Sequence, residues 1–326
     1  MKAKKTDIII ENTNKFNRHI LFIIFVFTML LYSNSIKNNY ALDDEYVTVT
    51  TPDHPNNPRI EKGIKGIPEI FKTHYVESSS QSFEYRPLVL VTFAIEYQFF
   101  GSNPHVSHFI SVLLYAFTCM LLFTILAKLF KNYNIIFSLL VTFLFIIHPI
   151  HTEVVDNIKC RDELLSFLFG LCALYFFIIN REIKGQKWLY IILMIVCLVV
   201  GLLCKKTAIL FMILIPLTAY FFYHFKLKKL VGLFAIIALA YFIYDSFIGS
   251  MVGEMKVNRG FVFIENPLYY EHGFLKRIPI IFYTLGYYIK LLIFPYPLSC
   301  YYGYNTIPMA GWASPYLILS VIFYAT

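Results

Sequence analysis

The sequence predicts an all-α polytopic membrane protein with about nine membrane-spanning helices. Hydrophobic residues make up 58% of the 326 residues and charged residues only 15%, against roughly 25% charged in ordinary soluble domains. Phe and Tyr are abundant, with 33 and 25 copies, as expected where side chains face lipid and line its interfaces. A single soluble core of this length would need more charge on its surface, so the composition favours a membrane protein.

Long apolar runs define the predicted spans, since a span needs about 20 mostly apolar residues. The third run is short and the ninth reaches the end of the sequence. The spans are expected near residues 19–37, 106–130, 133–148, 163–180, 187–204, 207–224, 230–248, 278–296 and 312–326.

Residues 1–18 carry several cations before the first run, as a signal peptide does, but no Ala-x-Ala-like cleavage site follows it. We therefore expect an uncleaved first span with residues 1–18 in the cytoplasm. Alternation from that start places three cationic clusters in the cytoplasm, after the second span and between spans 4–5 and 6–7. This placement agrees with the positive-inside rule.

The same alternation makes residues 38–105 a large first external loop and also places residues 149–162 and 249–277 outside. Within the first loop, the stretch from Pro87 to Phe100 is apolar but only about 14 residues long, so we expect an interfacial or partly buried helix. The net charge of +8 does not indicate a nucleic-acid binder. The cations lie in short clusters between apolar runs, and no soluble basic module is visible.

Adjacent acids follow the first predicted span, at Asp43, Asp44 and Glu45. Carboxylates just outside a bilayer can bind a metal ion, act as a general base towards an acceptor hydroxyl, or simply be solvated. A rigid helix end can hold such a carboxylate in position. The spacing alone leaves these interpretations open.

Cations stand at the ends of several apolar segments, on the side where the positive-inside rule disfavours them. Arg86 precedes an apolar helix whose start is set by Pro87. The Arg86 guanidinium can bind a phosphate through two hydrogen bonds, or it can anchor the helix at the membrane interface. Arg161 lies near a helix N-terminus, beside Asp162 and Glu163, which could be plain capping and dipole partners. Lys205 lies in a short turn, where it either meets a lipid phosphate or snorkels.

A polar loop carries His148, His151 and Glu153. These side chains could suggest metal ligation, but Pro149 breaks the helical spacing of a zinc motif such as HExxH. The alternative is a polar loop that leads into a helix and meets an anionic substrate. Since the acids and the cations all fall on one predicted membrane face, that face is the candidate active site.

Short blocks between about residues 20 and 310 recur in an order and spacing typical of one family. The blocks are Leu42-Asp43-Asp44, Thr50-Thr51-Pro52-Asp53, Tyr85-Arg86-Pro87-Leu88, Phe100-Gly101-Ser102-Asn103-Pro104, His148-Pro149-Ile150-His151-Thr152-Glu153-Val154-Val155, Arg161-Asp162-Glu163-Leu164-Leu165, Glu265-Asn266-Pro267 and Leu291-Leu292-Ile293-Phe294-Pro295. Together they resemble the multi-pass protein O-mannosyltransferases that bear tetratricopeptide repeats and have the GT-C glycosyltransferase fold.

The resemblance implies a GT-C-like bundle that transfers mannose or a similar hexose from a polyprenyl-phosphate carrier to a Ser or Thr hydroxyl of a protein acceptor, outside the cytoplasm. It implies that Asp43 is the general base and that Asp44 orients the acceptor. It further implies that Arg86, Arg161 and Lys205 hold the donor phosphate. A divalent cation is a possible cofactor, and the expected partners are the lipid-linked donor, the protein acceptor and the bilayer.

Two features depart from the family pattern. The family usually has Lys-Glu where this chain has Lys205-Lys206, and the repeats expected after the membrane domain are absent from the sequence. We therefore expect one transmembrane domain over residues 1–326, either as a fragment or as a shortened relative. The Lys-, Ile-, Asn- and Phe-rich composition is compatible with a bacterial inner membrane or an endoplasmic reticulum membrane.

Two other functions remain open from the sequence. A transporter or flippase of lipid-linked or anionic substrates would need ionisable residues deep in the spans, and the main cases are Glu96 and Lys290. A non-catalytic membrane subunit would be favoured by loss of Asp43, which is present.

Overall fold

In a computed structural model of the chain, the residues described are 18–48, 58–77, 82–183, 185, 187–252, 263, 268–271, 273–299, 302–303 and 311–325. The sequence blocks at 50–53 and 265–267 lie outside these described residues, so their predicted resemblance has no structural counterpart here.

Helices dominate the described residues. The α-helices are α1 (Arg18–Leu31), α2 (Asp44–Thr48), α3 (Pro58–Glu61), α4 (Ile67–Ile70), α5 (Pro87–Phe100), α6 (Pro104–Leu129), α7 (Ile135–Ile147), α8 (Thr152–Val155), α9 (Arg161–Glu182), α10 (Lys187–Cys204), α11 (Phe211–Tyr223), α12 (Leu227–Val252), α13 (Phe274–Ile293) and α14 (Pro315–Ala325). Short 3₁₀ helices lie at Ser33–Lys37, Gly63–Gly66, Pro149–His151 and Lys206–Leu210. A two-residue antiparallel pair joins β1 (Val76–Glu77) to β2 (Ser82–Phe83).

Five of the described helices are long and apolar enough to cross a membrane, or six if α7 and the adjoining segment Pro149–Val155 count as one span. They comprise α6, α9, α10, α12 and the continuous stretch Lys206–Tyr223. The described parts of α1, α5 and α14 are shorter apolar helices. The all-α polytopic membrane fold is thus confirmed, whereas the expected count of nine spans is not.

The chain divides into two compact units. Unit 1 comprises Met1–Ile147 and Val154–Val257, and unit 2 comprises His148–Glu153 and Asn258–Thr326.

Unit 1 is built around α6 and α9, which start at the same end. At that end the Arg161 guanidinium donates to the Ser107 carbonyl at 2.9 Å. At the opposite end Lys128 pairs with Glu182 at 2.7 Å. Because each pair joins matching ends, the two helices run parallel, and α10 returns antiparallel to bring Lys205 back beside the start of α9.

The buried face of α9 follows the spacing of a helix stripe. Leu171, Leu174 and Ile178 recur at three- and four-residue intervals and are buried together with Leu198 of α10 and Ile215 of α11. The outer faces of α10 and α11 expose large apolar side chains, among them Ile192 and Leu217, as expected for helices in lipid.

The described residues between α1 and α6 pack together in a cluster that also contains Ile158 and Leu165 near the start of α9. The helix α5 begins at Pro87, as the sequence predicts, because proline tolerates the first helical position. Its residues Val89 and Phe93 are buried in one cluster with Ile60 and Ile70 of the preceding turns. The expectation of a partly buried helix over Pro87–Phe100 is therefore met.

In unit 2, α13 and α14 approach closely at Gly286. A Cβ atom on Gly286 would lie 1.8 Å from the Tyr316 carbonyl oxygen, so only glycine permits this contact. Ile280 and Tyr283 of α13 are buried there, and Tyr287 packs against the same cluster.

Candidate active site

Asp44 is the first residue of α2 and is almost fully buried, with 1% of its surface exposed. One carboxylate oxygen accepts the Ala41 N–H at 3.0 Å and the other accepts the Lys159 N–H at 2.8 Å. Burial raises the pKa of Asp44, although these two backbone donors act in the opposite direction. Asp44 therefore fastens the turn after α1 to the turn that precedes α9.

Asp43, by contrast, exposes 59% of its side chain. It follows Leu42, whose φ of 53° lies in the left-handed region and whose side chain is also exposed. The nearest charged neighbour given for Asp43 is Lys159, whose Nζ lies 3.4 Å from the carboxylate. The fold thus holds the backbone through Asp44 while leaving the Asp43 carboxylate accessible.

Arg86 ends the loop before α5 and lies between two carboxylates. Its guanidinium pairs with Asp162 and, at 2.5 Å, with Glu84. It also lies over the Tyr75 ring, 4.9 Å from the ring centroid. Burial alone would lower the pKa of Arg86, but Asp162 and Glu84 outweigh it and raise the value.

Lys205, at the end of α10, reaches the same carboxylate as Arg86. Its Nζ lies 3.2 Å from Asp162 and 2.9 Å from Glu163. Burial would lower the pKa of Lys205, but Asp162 and Glu163 raise it overall. The set Glu84, Arg86, Asp162, Glu163 and Lys205 is called the open cluster below, because two of its acids are partly exposed.

Arg161 lies in a different environment from Arg86 and Lys205. It is fully buried, with Nη1 2.8 Å from Glu96 and Nη2 2.9 Å from the Ser107 carbonyl. The Phe93 ring lies 4.2 Å beneath it, and the Ser107 hydroxyl also donates to Glu96. This set, Glu96, Ser107 and Arg161, is called the closed cluster. The guanidinium contacts protein groups and not an open surface, so donor-phosphate binding by Arg161 stays a prediction.

His148, His151 and Glu153 belong to unit 2. The two imidazole rings lie 5.9 Å apart, and His148 Nε2 lies 3.0 Å from the Leu292 carbonyl oxygen. Glu153 is exposed. Among the described residues, no group of three or more His, Cys, Asp or Glu side chains is placed to hold a metal ion.

An apolar groove lies beside the open cluster in unit 1. Its cavity volume is about 450 Å³. At one end the Thr207 hydroxyl donates a hydrogen bond of 2.8 Å to the Glu163 carboxylate. The rest of the groove runs along α9 and α11. Its remaining lining residues are Ser166, Phe167, Leu210, Phe211, Ile213, Leu214 and Leu217.

Residues to which the sequence assigned only local roles complete this arrangement. Asp162 and Glu163 were expected as possible capping partners of α9, yet they pair with Arg86 and Lys205 instead. The N-cap residue Cys160 makes no side-chain capping bond. Glu84 and Lys159 had no assigned role, and only their closeness in sequence to Arg86 and Arg161 could have drawn attention to them.

Comparisons with known proteins identify relatives of the chain. It is 25% identical over 315 residues to a protein O-mannosyl-transferase of Caenorhabditis elegans, covering 93% of this chain and 42% of the relative. It is 31% identical over 155 residues to the protein O-mannosyl-transferase TMTC1 of Homo sapiens, covering 47% of this chain and 17% of the relative. It is 30% identical over 185 residues to the protein O-mannosyl-transferase TMTC3 of Homo sapiens, covering 55% of this chain and 19% of the relative.

No family model matches the chain, and no solved structure matches it significantly. The chain spans less than half the length of the curated relatives it matches. The alignment with the Caenorhabditis elegans protein nevertheless covers nearly all of this chain. The resemblance carried by the sequence blocks is thus confirmed: the chain is similar to proteins named protein O-mannosyl-transferases.

Proposed function

We propose that the chain is a membrane glycosyltransferase that moves mannose or a similar hexose from a polyprenyl-phosphate carrier to a Ser or Thr hydroxyl of a protein. The observation that carries this proposal is that residues 159–163 bring an accessible carboxylate and two cations to one end of unit 1, beside an apolar groove. Asp43 lies at Lys159, and Arg86 and Lys205 meet at Asp162. The names of the relatives support the same reaction class.

In this mechanism Asp43 is the general base. Its carboxylate takes the proton from the acceptor hydroxyl while the hydroxyl oxygen attacks the anomeric carbon of the sugar. The bond between that carbon and the phosphate oxygen breaks, and a single displacement inverts the configuration. Asp44 is too enclosed to meet the acceptor in this structure, and its two backbone bonds support the position of Asp43.

The leaving polyprenyl phosphate gains negative charge, which needs cations placed in advance. Arg86 and Lys205 meet that need because both point at one shared carboxylate and are not enclosed by protein on every side. A planar guanidinium beside an ammonium suits a phosphate group. For Arg161 to contact the phosphate as well, Glu96 would have to be displaced from the closed cluster.

The apolar groove along α9 and α11 suits the prenyl chain. Its walls are mostly aliphatic and aromatic, and its polar end at Glu163 lies next to Lys205. A lipid entering sideways between these helices would bring its phosphate to Lys205 with its tail in the groove. The named relatives are animal proteins, which favours the endoplasmic reticulum membrane, with the site on its extracytoplasmic face.

The direct test is transfer of radiolabelled mannose from a polyprenyl-phosphate donor to Ser- or Thr-containing acceptor peptides by purified protein in vesicles. Asp43→Asn should lower kcat by about 10²- to 10⁴-fold, the usual contribution of a general base. Glu69→Gln is the matched control, because Glu69 lies in the same segment but pairs with Lys62, away from the site.

Asp43→Asn is expected to insert and fold as well as wild type, because the side chain is exposed. Equal transfer by wild type and Asp43→Asn would refute the assignment of the base. Absence of transfer by wild type with several polyprenyl-phosphate sugars would refute the proposed reaction and favour a transporter or a non-catalytic subunit.

A further inference from the structure

The charges of the open cluster do not balance. Arg86 and Lys205 are two cations, whereas Asp162, Glu84 and Glu163 are three carboxylates. A phosphate that simply joined this set would meet one more negative than positive charge. Some carboxylate must therefore leave the cations if a phosphate is to bind there.

The carboxylates differ in how firmly they are held. Asp162 is fully buried, and each of its two oxygens contacts a different cation, Oδ2 towards Arg86 and Oδ1 towards Lys205. Glu84 and Glu163 expose 44% and 35% of their side chains and each contacts one cation of the pair. Their cationic partners Arg86 and Lys205 expose only 9% and 19% of their side chains. The exposed carboxylates are solvated when they leave and the cations keep Asp162, whereas loss of the fully buried Asp162 charge is costly.

We propose that Asp162 is the positioning residue that holds Arg86 and Lys205 as a fixed pair, and that Glu84 and Glu163 occupy the donor phosphate's place until it displaces them. This inference rests on the proposed function for the identity of the donor. With both glutamates displaced, Arg86, Lys205 and Asp162 together carry one positive charge. That charge matches the single negative charge of a phosphodiester-linked sugar donor.

The local geometry supports this division of roles. Asp162 lies one residue from Arg161, whose closed cluster fixes the first turn of α9. The Asp162 carboxylate therefore has little freedom to follow a departing cation. Glu163, in contrast, also accepts a hydrogen bond from Thr207 at the end of the groove, so it keeps a partner when Lys205 turns to a phosphate.

Binding of a fluorescent polyprenyl phosphate, without sugar, to the purified full chain in phosphatidylcholine nanodiscs tests the inference independently of catalysis. Glu84→Gln and Glu163→Gln should each bind this probe about two- to fivefold more tightly, the factor expected from removing an exposed ion pair. Asp162→Asn should bind it at least about tenfold more weakly, because the cations lose their common anchor. Glu69→Gln should bind as wild type does.

A purely structural role for Asp162 would lower the amount of folded protein without changing donor affinity per folded molecule. In steady-state transfer, the two glutamate variants should change mainly the donor KM, with kcat altered by less than about threefold. Asp162→Asn should raise the donor KM and also lower kcat, because Arg86 and Lys205 stabilise the leaving phosphate. Asp162→Glu keeps the charge and should recover part of the lost affinity. If Asp162→Asn does not fold, Asp162→Glu decides the question, and wild-type affinity in that variant would overturn the positioning role.

Unchanged or weaker probe binding by both glutamate variants would overturn the displacement. Inorganic phosphate should not displace the fluorescent probe at concentrations where unlabelled polyprenyl phosphate does. Equal displacement by both would overturn the inference that the ligand is a lipid phosphate. Failure of the proposed function has a separate signature. If the variants bind the probe in the expected order but wild type transfers no sugar, the phosphate site stands and the transferase assignment falls.

Discussion

Two arginines of this chain share nearly all their local features and differ in what surrounds their partners. Arg86 and Arg161 each lie at the start of a helix, over an aromatic ring, and beside a carboxylate. The partner of Arg161 in the closed cluster is itself buried, whereas Arg86 in the open cluster also contacts the half-exposed Glu84.

The difference teaches how a charged pair is assigned to structure or to ligand binding. In the closed cluster one cation meets one carboxylate, and neither is accessible, so the pair joins α5, α6 and α9. In the open cluster the charges do not balance and two partners can move into solvent. Exchangeable partners, more than the presence of an arginine, are the reason we propose an anion site at the open cluster and not at the closed cluster.

The largest expected effect on stability comes from breaking the closed cluster. Arg161→Gln should lower the free energy of unfolding by about 3–5 kcal/mol, because it leaves the buried Glu96 charge unpaired. Thermal unfolding in detergent, followed by the fraction of protein that stays monodisperse, measures this loss. The double variant Arg161→Met/Glu96→Leu is the control, since it removes both charges together and should recover most of the stability.

A wild-type melting profile for Arg161→Gln would contradict the structural assignment of the closed cluster. If Arg161→Gln kept the stability of the wild type but bound the donor more weakly, we would assign Arg161 to donor-phosphate binding together with Arg86 and Lys205.

The acidic pair provides a second contrast of the same kind. Asp44→Asn should lower the free energy of unfolding by about 1–3 kcal/mol. In the wild type, the two carboxylate oxygens accept the N–H groups of Ala41 and Lys159. An asparagine side chain has one oxygen and one NH₂ group, so one of these buried N–H groups would face a donor and lose its acceptor. Asp43→Asn should change stability by less than about 0.5 kcal/mol. Chemical unfolding of the two variants side by side measures the difference. Equal losses of stability would contradict the division between the buried Asp44 and the accessible Asp43.

The smallest effect is expected at the opposite end of α6 and α9. Lys128→Ala should change the free energy of unfolding by about 0.2–1 kcal/mol, because its pair with Glu182 is partly exposed on both sides. Repeating the melt at high salt should remove most of that difference. A loss as large as that of Arg161→Gln would show that burial does not control the strength of ion pairs in this fold.

Much of the helical layout was predictable from the sequence. The runs predicted at 106–130, 163–180 and 187–204 correspond to α6, α9 and α10 within a few residues. The helix over Pro87–Phe100 has the predicted start and end. The number of spans was the less predictable quantity, because the described parts of α1 and α14 have the composition of a span without its length.

The candidate site was predictable in its residues more than in its contacts. The structure brings Asp43 and Asp44 to the turn before α9, and Arg86 and Lys205 to Asp162. It encloses Arg161. His148, His151 and Glu153 fall in unit 2. The predicted role of these three residues in the site stays a prediction.

The sequence by itself determined the membrane class, the order of the helices and the residue types available for the chemistry, because apolar periodicity and charge placement are local properties. Only the tertiary structure decided which charges meet. Arg86 and Asp162 are 76 residues apart in the chain, and Arg161 and Glu96 are 65 apart. Both pairs form because α5, with Arg86 before its start and Glu96 in its second half, packs against the first turn of α9. Burial then decides which partners can exchange.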